Sequence, residues 1–136
     1  MDHSRFIDAT SGWFRGKKSD VESLHVYFKP VRFSPTEKPT VLSEFGGYSY
    51  PPEGHGFHPG KPYGYRFFEK QNEFEDALIG LYENEIVPAV KKGLCGAIYT
   101  QVSDVEDETN GLLSYDRKVL KVSPERMRAV AEKLKI

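Results

Sequence analysis

Apolar positions in this chain fall into short continuous runs near the N-terminus and into helix-spaced stripes further on. Four runs have the length and β-branched or aromatic content of strands: residues 5–10, 23–28, 40–44 and 95–102. Ser11-Gly12-Trp13 reads as a turn after the first. None is joined to the next by a two-residue hairpin signal, so parallel pairing is expected. Between the third and fourth runs, Phe74, Ala77, Leu78, Leu81 and Tyr82 follow the i, i+3, i+4, i+7, i+8 spacing of one helical face. Asn72-Glu73 offers a start for this helix, Pro88 should loosen its last turns, and Gly93 can end it. A second helix opens with Ser123 as N-cap and Pro124 at its first position. Its apolar face is Met127, Val130, Ala131 and Leu134.

This order is βα-type alternation with weak early crossovers, and it predicts an α/β fold. Right-handed crossovers would lay the four strands side by side in sequence order, with Phe6, Ile7, Val26, Val41, Leu42 and Ile98 in one parallel sheet. Four strands are too few to close a barrel, and two good helices leave one sheet face uncovered. The chain is therefore expected to be half of a larger unit. Residues 29–39 hold three prolines and read as irregular. Residues 45–64 are rich in Gly, Pro, His and Tyr, and a span that long in a compact domain is expected to be a lid or binding loop.

Composition narrows the function classes. The 136 residues suit one domain, and 19 basic against 20 acidic residues leave a net charge of -1. Neither nucleic acid nor an acidic membrane surface is called for. No apolar run is long enough to span a bilayer and no secretory leader is visible, so a cytoplasmic location is expected. Cys95 is the sole cysteine, which excludes an internal disulfide and fits a reducing compartment. The 8 Tyr, 9 Phe and 1 Trp can be core, or the stacking surface of a sugar site.

The candidate chemistry centres on Thr40-Val41-Leu42-Ser43-Glu44-Phe45-Gly46-Gly47, an apolar run ending in one carboxylate. Parallel α/β barrels place their chemistry at the C-terminal ends of strands, and the glycines leave that carboxylate uncrowded. The alternative is a strand-end glutamate that faces water. His55, His58 and Glu53 make a thin metal set, and a solvent-facing loop is the better reading of them. Glu106-Asp107-Glu108 reads as a solvated acidic loop. Gly16-Lys17-Lys18-Ser19 lacks the earlier glycine of a phosphate loop. No metal and no cofactor are expected.

In its motifs the chain resembles the C-terminal half of the catalytic (β/α)8 barrel of glycoside hydrolase family 2, the family of β-galactosidases, β-glucuronidases and β-mannosidases. Four segments carry the likeness in the family's order. Residues 5–13 are similar to the fifth barrel strand and its turn, and Ser23-Leu24-His25-Val26-Tyr27-Phe28 to the sixth. Residues 40–47 resemble the seventh, with the family's Ser/Thr-Glu-Phe/Tyr-Gly motif, and residues 96–104 the eighth. The resemblance implies half of a barrel, strands five to eight, from a retaining β-glycosidase acting on terminal O-glycosidic bonds.

Carried over residue by residue, it makes Glu44 the nucleophile and Tyr27 the phenol that orients it. Such enzymes hold two carboxyl groups about 5–5.5 Å apart, one to attack and one to protonate the leaving oxygen. His25, on the same strand face as Tyr27, would touch a sugar hydroxyl or serve as a buried hydrogen-bond bridge. Trp13 and Tyr99 would stack on a pyranose or belong to the core, and Gln101 would share the face of Tyr99. The departures are as definite. The family's acid/base glutamate follows an Asn at a strand end, whereas Asn72-Glu73 and Asn84-Glu85 lie in the helical region. The Asn and Lys pair typical of β-glucuronidases is not evident. The expected partners are a carbohydrate and either the missing N-terminal half-barrel or a second copy of the chain. The alternative function is a non-catalytic carbohydrate-binding or self-associating half-barrel.

Overall fold

The computed structural model describes residues 4–9, 12–14, 18–58 and 60–135. Its centre is a three-stranded parallel sheet of β1 (Glu22–Val26), β2 (Thr40–Gly46) and β5 (Leu94–Thr100) in the order β1-β2-β5. These are three of the four expected strands, in the expected order. The fold is α/β with parallel strands, and β2 takes the middle.

The expected first strand does not form over residues 5–9, and Thr10 and Ser11 lie outside the described residues. The backbone there is satisfied locally instead. Ile7 N donates to Asp20 Oδ2 at 2.8 Å and Asp20 N donates to Ile7 O at 2.7 Å. Phe6 is 86% exposed, so neither it nor Ile7 belongs to the sheet.

Helix α1 (Gln71–Leu81) buries Phe74, Leu78, Ile79 and Leu81. A π-helical segment (Tyr82–Ile86) follows, then α2 (Val87–Lys91), with Pro88 in its first turn. A proline lacks the N–H for an i→i−4 bond, and the widened turn lies where that bond is lost. Gly93, at φ +106°, ends the helical run in a conformation that favours glycine. Helix α3 (Pro124–Lys133) is capped as expected, with Ser123 Oγ accepting from Arg126 N at 3.3 Å. Val130 is buried on its inner face, whereas Ala131 points to solvent.

One face of the sheet packs on the helices. Leu42, Phe45 and Leu94 meet Leu81, Ile86 and Ala89, with Leu24, Val26, Ala97 and Tyr99 around them. A second cluster joins Phe74, Leu78 and Val122. Strict alternation along β2 would put Glu44 on the same face as Leu42. The register breaks this rule. Leu24 pairs with Leu42 but His25 pairs with Glu44, and the β2–β5 register also shifts between Leu42 and Phe45. Phe45 thereby enters the core at 0% exposure while Glu44 turns to the opposite face. Bulges commonly re-aim a side chain in this way.

Residues 45–64 are not irregular throughout. Tyr48–Ser49 (β3) pairs in parallel with Arg66–Phe67 (β4), and Gly46, Gly47 and Ser49 are buried. The rest of the span is tied to residues 104–116. Tyr63 bridges Glu108, His58 Nδ1 meets Asp107 Oδ1 at 2.6 Å, and His55 Nδ1 meets Asp116 Oδ2 at 2.9 Å. The segment after β5 is itself pinned from within. Lys121 Nζ reaches Asp104 Oδ1 at 2.6 Å, Asp104 Oδ2 at 2.8 Å and Thr109 O at 3.0 Å, and both ionic side chains are fully buried. No helix among the described residues is long and apolar enough to cross a membrane.

Candidate active site

The C-terminal ends of β1 and β2 bring three of the expected residues together. Tyr27 follows β1 and donates its phenolic hydrogen to Glu44 Oε2 at 2.5 Å. Burial foremost, and then this bond to a carboxylate, push the Tyr27 phenol far above its usual range, so it stays protonated and a donor. Thr100 Oγ1, at the end of β5, lies 3.1 Å from the same phenol oxygen. His25 stands two residues before Tyr27, with its Nδ1 3.3 Å from Glu44 Oε2. Its side chain is 6% exposed, and Nδ1 makes no hydrogen bond among the described residues. A buried imidazole nitrogen of this kind is a group held ready for a ligand or a water.

Glu44 itself is open, with its side chain 45% exposed. Trp13 flanks the group. Its ring meets His25 edge-on at 5.4 Å between centroids and lies tilted to Tyr27 at 6.3 Å. At 59% exposure it presents most of its surface outward, as a stacking platform would, rather than joining the core. The cavity beside the site, about 340 Å3, is lined by Tyr27 and Tyr65 but not by Glu44, which occupies the open rim.

No family model matches this chain, and no curated protein matches it.

Two expected site residues lie elsewhere. Tyr99 belongs to the core: its ring packs edge-on to Phe45 at 5.8 Å, its hydroxyl reaches Tyr48 O at 3.4 Å, and burial raises its phenol far above the usual range. It points to the helix-covered side because β5 puts Ala97 and Tyr99 on one face. Gln101 does not share that face. It turns into the following loop, where Nε2 donates to Glu108 Oε2 and Asn110 Oδ1, both at 2.8 Å.

Tyr65 was not legible beforehand. Its ring stacks on Tyr27 at 4.1 Å and 21°, and meets Tyr63 at 5.9 Å. Burial first, then Tyr63, raises its phenol, with the carboxylates of Glu108 and Glu44 adding to the effect. Only the pairing of β3 with β4 carries this loop residue to the site, and no local motif signals it. His55 and His58 do not converge on Glu53; each takes its own aspartate, and no group of three or more metal-ligating side chains occurs among the described residues.

Proposed function

We propose that this chain supplies the nucleophile side of a retaining β-glycosidase site acting on terminal O-linked sugars. The observation that carries the reading is the Tyr27–Glu44 hydrogen bond of 2.5 Å at the rim of parallel strands. A phenol that burial keeps protonated fixes one carboxylate oxygen and leaves the other free to attack. In the reaction, Glu44 forms an ester to the anomeric carbon as the glycosidic C–O bond breaks, and the leaving oxygen takes a proton from an acid. Water then opens the ester, and configuration is retained. Trp13 would stack on the sugar ring, and His25 would meet a hydroxyl. In this reading β1, β2 and β5 are strands six, seven and eight of a (β/α)8 barrel.

The acid comes from outside this set of residues, because Asn72 and Glu73 lie in α1 and Asn84 and Glu85 in the π-helical segment. Another barrel half or a second copy of the chain would provide it. The chain alone is therefore expected not to turn over ordinary glycosides, since general-acid help is worth about 10²–10⁴-fold.

The nucleophile can be tested without the acid. A 2-deoxy-2-fluoro-β-glycoside with a dinitrophenolate leaving group needs no proton to depart. Incubated at millimolar concentration with the chain, neutral gluco-, galacto- or manno-configured probes should leave one glycosyl adduct on Glu44, read by peptide mass spectrometry. The Glu44→Gln variant should take none. Absence of an adduct with every probe would overturn the reading. That result would favour the second one, a self-associating half-barrel, for which the exposed β5-side residues Ile98 and Val102 speak.

A further inference from the structure

Beyond the nucleophile, two chains of contacts that both start at Tyr27 link a second carboxylate to this site. Along the first, Tyr27 holds Glu44 and stacks on Tyr65, and Tyr65 adjoins Tyr63, whose backbone bridges Glu108. Tyr63 N donates to Asp107 O at 2.6 Å and Thr109 N to Tyr63 O at 2.9 Å, so the backbone on both sides of Glu108 is fixed. Along the second, Thr100 touches the Tyr27 hydroxyl, and its neighbour Gln101 donates to Glu108 Oε2. Gln101 is itself committed, since the same amide nitrogen also donates to the fully buried Asn110. The Glu108 carboxylate is thus held at one oxygen. Its other oxygen, Oε1, has no partner among the described residues, although the residue is only half-buried.

No lysine or arginine pairs with Glu44 or Glu108 among the described residues. Arg66 sits over the rings of Tyr48 and Phe68 at 5.4 and 4.9 Å, and Lys29 and Arg66 line the neighbouring cavity that excludes Glu44. Two oriented carboxylates with no fixed cation among the described residues make this rim a strong acceptor of hydroxyl hydrogens and a poor place for an anion. Hydrogen bonds from hydroxyls to an ionised acceptor are among the stronger ones a sugar can make. Like charges brought together across a binding surface are disfavoured by several kcal/mol.

We propose that Glu108 is a specificity-determining residue, accepting hydrogen bonds from the hydroxyls of a neutral terminal sugar and, together with Glu44, rejecting sugars that carry their own carboxylate. This rests on the glycosidase reading above and names its substrate class: neutral glycosides, not uronides. Gln101 is a positioning residue in this scheme, acting through Glu108.

The test compares matched neutral and uronyl 2-deoxy-2-fluoro-β-glycosyl probes of one configuration, each with a dinitrophenolate leaving group, on the whole chain. The rate of adduct formation at Glu44 is followed at low and at high salt. The neutral probe should label at least about tenfold faster than the uronyl one, and the gap should narrow in high salt, as charge repulsion does. In Glu108→Gln, which keeps the shape and loses the charge, uronyl labelling should rise toward the neutral rate. Equal labelling of wild type by both probes, or a gap that ignores both salt and Glu108→Gln, overturns the proposal and leaves the nucleophile assignment standing. Labelling by neither probe removes both. The wild-type comparison stands even where Glu108→Gln fails to fold, and circular dichroism of the variant decides that point.

Discussion

Replacing Lys121 by methionine removes a cation from a place where water cannot replace it. Lys121 is 0% exposed and Asp104 1%. The ammonium donates to both carboxylate oxygens and to Thr109 O. Without it, Asp104 keeps a single donor, the Gly111 N–H at 2.8 Å. Stripping one member from a buried pair costs about 3–5 kcal/mol. Protonation sets a ceiling on that cost. A carboxyl with an ordinary value of about 3.9 can be neutralised at pH 7 for about 4 kcal/mol, at about 1.4 kcal/mol per pH unit. In the variant the folded-state value of Asp104 lies well above its unfolded one. Its favourable contribution is then complete below the unfolded value and is lost as pH rises through the folded one. The handicap relative to wild type should be about 3–4 kcal/mol at pH 7 and shrink by roughly 2–3 kcal/mol by pH 5. Urea unfolding followed by far-ultraviolet circular dichroism at both pH values measures it. Adding Asp104→Asn should recover much of the loss and flatten its pH dependence. A loss below about 1 kcal/mol at pH 7, the size of an exposed pair, would refute the reasoning, as would a loss that does not change with pH.

Three other perturbations have defined outcomes. Burial raises the Tyr82 phenol to about 12, so its contribution is intact below pH 10 and fades between 10 and 12; Tyr82→Phe should move alkaline unfolding to higher pH, seen in the phenolate absorbance against circular dichroism. Gly46→Ala should cost about 1–3 kcal/mol in a urea melt, because Gly46 has φ +90° and an added Cβ would lie 2.4 Å from Tyr99 Cε2. Ser123→Ala should lower stability by about 1 kcal/mol through loss of the α3 cap, with Ser123→Asp restoring most of it.

The sheet was legible where runs were continuous. Residues 23–28, 40–44 and 95–102 are apolar enough to name themselves, and parallel order follows from the lack of two-residue hairpin turns between them. Residues 5–9 show the same kind of run, yet Asp20 satisfies Ile7 from close by, and a local partner of that type carries no periodic signal. The Tyr27–Glu44 contact was foreseeable because both residues end neighbouring strands. Whether Tyr99 is platform or core was not legible, because its face depends on which side the helices cover. Tyr65 and Glu108 reach the rim through long-range pairing of loops, beyond the reach of local pattern. The Lys121–Asp104 pair was invisible for a related reason, since the two are ordinary charged residues 17 positions apart in sequence.

The irregularity in β2 makes the site a matter of parity. Between Leu42 and Phe45 the chain spends two residues where alternation needs one, so a hydrophobic residue and a carboxylate each find the side they suit. Deleting Ser43 would leave Leu42, Glu44 and Phe45 in strict alternation with Glu44 still opposite the core, whereas straightening the strand with Ser43 in place would drive Glu44 against Leu81 and Ile86, with no change in the residue itself. The side on which the carboxylate emerges is thus set by the irregularity between Leu42 and Phe45, and not by the identity of Glu44 alone.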